Sequence, residues 1–205
     1  MTNAIYRAET GKIFWCIIAN LIIGVVGAIA AVVAVAGAAA EIASSGEVGG
    51  GALGGAAAIL IIIALASVAI YVITLMAYAR LQKDFGETTV DGSAFGKLKI
   101  AAIIAIIGAV LSLIPVAGAI ISALCSIAAY ILYLIAFSAL KNSTTFPGAA
   151  GAGTVFTSYI LCLIGAVLGI IPILNIIGGI VGLIGLIMLI VGWAKIKNAP
   201  LPEEA

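Results

Sequence analysis

The chain has 205 residues, a formal net charge of +1, 65% hydrophobic residues and only 8% charged ones, with a mean hydropathy of +1.39. Soluble domains are about half apolar and about a quarter charged, so a soluble fold of this composition could not cover its own surface, and lipid is the expected solvent. The nine Lys and Arg residues are scattered and histidine is absent, which argues against a nucleic-acid partner and removes the commonest general base and metal ligand.

The first apolar run spans about 12–43. It contains an A-x-A sequence, but it is far longer than a signal-peptide core of about 7–15 residues. It also opens on Phe14 and Trp15, which suit an interface anchor, so a retained first helix is expected. A glycine-rich segment, SSGEVGGGALGG (44–55), leads into the second run, about 52–80. A polar stretch, DFGETTVDGSAFG (84–96), precedes the third run, 97–140, and the fourth is 154–196.

The third and fourth runs are too long to be single spans. About 44 residues of helix make a rod of roughly 66 Å, against a hydrocarbon core of about 30 Å. Each run must fold back, and each holds one proline in the same phrase: IGAVLSLIP ends at Pro115 and IGAVLGIIP at Pro172. Proline stops the helix before it and suits the first position of the next. Gly118 and Asn175 follow three residues later as turn formers. The expected fold is therefore an all-α integral membrane protein with six transmembrane helices.

Basic residues test this count independently. With a cytoplasmic N-terminus, Arg7, Lys12, Arg80, Lys83, Lys97, Lys99, Lys141, Lys195 and Lys197 all fall on the inner side. Four spans would strand Lys141 on the outer face. The reading is a single membrane domain, 1–205, of the cell (inner or plasma) membrane, with both termini cytoplasmic. Its three helical hairpins, 11–83, 96–142 and 153–198, are parallel-topology repeats, with a cytoplasmic loop at 84–95 and a tail at 199–205. The hairpin exits agree: Tyr78 to Lys83, Phe137 to Asn142 and Trp193 to Asn198 each run from an aromatic to Lys or Asn. Such aromatics, with Phe14, Trp15, Phe156 and Tyr159, are expected at headgroup depth on the inner face.

The pattern GAVLSLIPVAGAII followed by YLIAFSALKNSTTFP resembles small prokaryotic multi-pass membrane proteins, known only as domains of unknown function, that share a GxxLxLIPxxGxI hairpin. The resemblance covers residues 97 to 198 and implies no activity.

Chemistry is sparse. No expected span carries a charged residue at mid-depth, which argues against a proton- or ion-coupled pump. Cys16, Cys125 and Cys162 lie apart in apolar runs and read as small hydrophobes. Asn20 lies inside the first span and needs an interhelical hydrogen bond of about 1 kcal/mol, while Tyr71, Tyr130 and Tyr133 are candidates to line a cavity or to pack. Small residues recur every fourth position, as Gly118, Ser122 and Ser126, as Gly165 and Gly169, and as Gly178 and Gly182. This spacing lets helix backbones approach, first within the chain and otherwise against a partner. Asp84-Phe85-Gly86 spells the kinase metal-binding tripeptide with no other kinase element beside it.

No catalytic constellation, cofactor or metal site can be assembled, and no enzyme is expected. The leading expectation is a non-catalytic packing or accessory subunit in the lipid bilayer, self-associating or bound to another membrane protein. The alternative is a channel or facilitator for small uncharged solutes, with a pore lined by Ser, Thr, Asn and Tyr. A membrane-disrupting or immunity-type protein is the third.

Overall fold

The computed structural model describes residues 3–45, 50–111, 114, 117–169 and 174–201. The turn prolines Pro115 and Pro172 lie outside the described residues. Six α-helices follow in chain order: α1 Asn3–Ser45, α2 Gly50–Phe85, α3 Val90–Leu111, α4 Ala117–Lys141, α5 Ala149–Gly169 and α6 Asn175–Lys197. No strand occurs among the described residues. Five helices are long and apolar enough to cross a membrane, within Asn3–Gly37, Ile61–Phe85, Val90–Leu111, Leu124–Lys141 and Ile176–Lys197. The fifth helix of the chain contributes a shorter apolar stretch, Ala149–Gly165. The six-span reading carries that run on to Pro172, and residues 170–173 lie outside the described residues.

Each helix packs against its neighbours in the chain, and α6 returns to α1, so the six close a ring. Burial follows an inverted rule. Along the shafts, large aliphatic side chains face outward: Val33 is 65% exposed, Ile62 66% and Ile180 56%. An apolar surface of that extent is tenable only against another apolar phase. The buried residues instead gather at one end, where α1, α3 and α5 begin and α2, α4 and α6 finish. Tyr6, Leu81, Phe95, Leu98, Phe137, Val155, Trp193 and Ile196 form its centre. Their rings interlock: Phe85 stacks on Phe95 at 5.4 Å between centroids, and Phe137 meets Trp193 edge-on at 5.8 Å. Aromatics expected at headgroup depth thus split. Trp15 is 63% exposed, whereas Tyr78, Phe137 and Trp193 turn inward, because large rings bury the most apolar area.

The basic residues lie at that same end. Glu9 is buried and accepts from Lys12 Nζ at 2.7 Å and from Arg80 Nη1 at 2.8 Å, linking α1 to α2. Lys99 Nζ donates to Gln82 Oε1 at 2.7 Å. Lys141 stands 3.7 Å above the Phe156 ring, and Lys197 5.1 Å above Phe14.

The connection between α2 and α3 is shorter than the 84–95 loop expected. Only residues 86–89 separate the helices. Gly86 takes the left-handed conformation that ends α2 (φ 88°), and Thr89 Oγ1 caps α3 by accepting from Gly92 N at 3.0 Å. A polar sequence that reads as a loop therefore forms the first turns of a helix. The Asp84-Phe85-Gly86 tripeptide has a purely local explanation here: Phe85 packs on the aromatic core and Gly86 makes the turn.

Candidate functional site

Six helices arranged in a ring leave a space at the axis when the side chains pointing inward are small. Here α3 contributes Ala105, Gly108 and Ala109, α1 contributes Cys16 and Gly24, and α4 contributes Cys125 and Ala129. The result is a cavity of about 630 Å³ lined from all six helices. Ligand sites fall in the range of about 300–1,000 Å³, so the space is of ligand size.

The polar groups of the wall are neutral: Asn20, Tyr71, Thr74, Tyr78, Ser126, Tyr130, Tyr133 and Tyr159, with no Asp, Glu, Lys or Arg among the described lining residues. Asn20 Nδ2 donates to Tyr71 Oη at 3.3 Å, tying α1 to α2. Thr74 Oγ1 donates back to Ile70 O at 2.9 Å and is spent within its own helix. Three tyrosines form a ladder between α4 and α5. Tyr133 and Tyr159 are parallel, 6° apart with centroids at 4.8 Å, and Tyr130 meets Tyr159 edge-on at 5.8 Å. Tyr78 lines the inner end of the cavity and lies 6.4 Å from both Phe95 and Trp193, so the aromatic core forms the floor.

The small residues singled out by spacing have separate fates. Gly165 lies so close to α6 that a Cβ on it would stand 2.8 Å from Gly178 O and 2.9 Å from Gly182 N. These three are thus engaged within the α5–α6 pair. Three further glycines extend the contact: Gly151 against Gly192 O and Ile196, Gly192 against Val155, and Gly185 against Cys162 Sγ and Ser158 O. Gly185 and Gly192 escape a four-residue pattern because they follow Gly178 at seven-residue intervals. Ser126 is exposed and borders the cavity. Gly118 and Ser122 belong to α4, and Gly169 ends α5, but their surroundings lie outside the described residues.

Tyr71, Tyr130 and Tyr133 border the cavity; Tyr78 and Tyr159 do so as well, although their positions near helix ends had suggested a lipid interface. A tyrosine recurring mid-helix on α2, α4 and α5 was the signal available. Among the described residues no group of three or more His, Cys, Asp or Glu side chains is placed to hold a metal ion. Comparison with known protein families, with curated proteins and with solved structures finds no match for this chain.

Proposed function

We propose that the chain is a six-span membrane protein, with its termini and basic residues in the cytoplasm, whose three hairpins enclose a binding space for small uncharged solutes that it admits or conducts. The observation that carries this reading is the 630 Å³ cavity lined by every helix and by no Asp, Glu, Lys or Arg among the described residues. A site without fixed charge cannot repay the desolvation of an ion, so its solutes are neutral. The aromatic core at the cytoplasmic end acts as a gate that has to move for passage.

The test is solute uptake by proteoliposomes, alongside equilibrium binding, for the wild type and Ala105→Phe. The substitution puts a ring into the cavity from α3. Wild-type vesicles are expected to exceed protein-free ones, and the variant to lose at least about 1.4 kcal/mol of binding, a tenfold loss. No uptake and no binding by the wild type would end the proposal.

The accessory-subunit reading keeps one supporting feature. Gly179 is exposed on α6 and has nothing within 4 Å of its Cβ direction, a surface against which another helix could close. Gly179→Leu would then lower the assembled mass in detergent.

A further inference from the structure

We infer that the ligand of the central cavity is a neutral, membrane-soluble ring compound bearing carbonyl oxygens, held by the phenol hydroxyls of Tyr130, Tyr133 and Tyr159. This deepens, and rests on, the reading of the cavity as a solute site.

Three observations converge. The first is unmet hydrogen bonding: Asn20 and Tyr71 satisfy one another, but Tyr130, Tyr133 and Tyr159 make ring contacts only, with no hydrogen-bond partner among the described residues. None of the three hydroxyls is a sealed, orphaned atom either, since among the described residues the buried unpartnered side-chain atoms are Asp91 Oδ1 and Trp193 Nε1. All three side chains line the cavity, so the open side of these hydroxyls is the cavity itself. A polar group taken out of water costs free energy until a partner is supplied. Phenol gives its proton more readily than it accepts one, because its lone pair is delocalised into the ring. The matching ligand atom is therefore an acceptor, and a carbonyl oxygen is the neutral acceptor of that strength.

Shape is the second observation. Tyr133 and Tyr159 stack on each other and Tyr130 meets Tyr159 edge-on, so this stretch of the cavity wall is aromatic. Flat rings settle against such surfaces in offset or edge-on contact. The third is access. Val25 on α1 is 53% exposed and Leu186 on α6 36%, yet both border the cavity. The cavity thus meets the outer surface beside α1 and α6, at a depth where that surface is aliphatic. A ligand passing there arrives from lipid.

Duroquinone (tetramethyl-1,4-benzoquinone) and durene, the hydrocarbon with the same ring and methyl groups, separate these ideas. Each is equilibrated with protein in nanodiscs, with empty nanodiscs as the blank. Duroquinone is expected to bind at least tenfold more tightly than durene. Changing Tyr130, Tyr133 and Tyr159 together to Phe is expected to abolish that preference while leaving durene binding unchanged. Phe keeps the ring contacts, so folding is preserved, and unchanged durene binding verifies it; if the triple variant fails to fold, the single Tyr133→Phe replaces it, with a threefold or greater loss expected. Equal binding of the two probes by the wild type, or a preference that survives the Phe substitutions, overturns the carbonyl assignment and leaves the cavity reading intact. Binding of neither probe overturns the carbonyl assignment as well, and it would remove the cavity reading too once solute uptake also proves absent.

Discussion

Asp91 is the most exacting side chain in the molecule. It sits in the first turn of α3, 2% exposed, and no lysine or arginine pairs with it among the described residues. Its Oδ2 accepts from Thr145 Oγ1 at 2.5 Å, and its Oδ1 has no partner. The position is favourable in one respect, since a carboxylate near a helix N-terminus is stabilised by the unpaired N–H groups there. Thr145 is exposed and belongs to the connection between α4 and α5, so this one bond ties that connection to the start of α3. Thr145→Val keeps the shape and removes the donor. The expected cost is about 1–3 kcal/mol, the penalty of a buried acceptor left unmet, read as a lower midpoint in detergent unfolding. Thr157→Val is the control: Thr157 bonds only to Gly153 O in its own helix, and its loss should stay within about 0.5 kcal/mol. Equal effects of the two would mean that the Asp91 bond contributes nothing of its own.

Among the helices, α5 and α6 form the tightest pair, and glycine is the reason. With a Cβ at Gly165 only 2.8 Å from a backbone oxygen, no side chain can rotate away to make room, and the helices must separate. Gly165→Ala therefore loses about 1–3 kcal/mol to overpacking, more than the ~1 kcal/mol that alanine gains in helix propensity. Gly179→Ala meets open space and should be neutral or gain up to about 1 kcal/mol. Opposite signs in unfolding measurements on two glycines of one hairpin are the expected result; two gains would show that the close approach is absent. This is also the scale at which the sequence was most legible. Long apolar runs announce helices, and Pro115 and Pro172 announce where two of them break, because proline ends one helix and suits the start of the next. Gly165, Gly178 and Gly182 stand out because small residues at four-residue spacing share a face. The start of α3 was hidden: VDGS looks like a turn, and only the cap from Thr89 and the packing of Phe95 on Phe85 make it helical.

Closure of the ring could not be read from any local pattern, since it joins the two ends of the chain. Its contacts are individually ordinary. Tyr6 Oη donates to Ile196 O at 2.8 Å, the Tyr6 ring meets Phe146 edge-on at 6.2 Å, and Lys197 lies over Phe14. The first and last of these pin α1 to α6 at the aromatic floor and the second ties α1 to the α4–α5 connection, while higher up Val25 remains exposed beside the cavity. The cavity was equally hidden, because its existence depends on which helices are neighbours: Tyr71, Tyr130 and Tyr159 lie on three helices and face one space only once the ring has closed. If Tyr6 is what seals the seam, its size matters more than its hydroxyl. Ile196 O keeps a second donor, Ala199 N at 3.3 Å, so Tyr6→Phe should cost only about 0.5–1.5 kcal/mol. Tyr6→Ala removes a fully buried ring and should cost about 3–5 kcal/mol. Cys16 reports on the seam directly, being 8% exposed and in the cavity wall. In a Cys125→Ala, Cys162→Ala background, a membrane-permeant maleimide should label Cys16 slowly in the parent and in Tyr6→Phe. In Tyr6→Ala, under conditions where the protein stays folded, labelling should be at least tenfold faster. An unchanged rate would place the closure elsewhere, with the Glu9–Arg80 ion pair that holds α1 to α2 as the next contact to break.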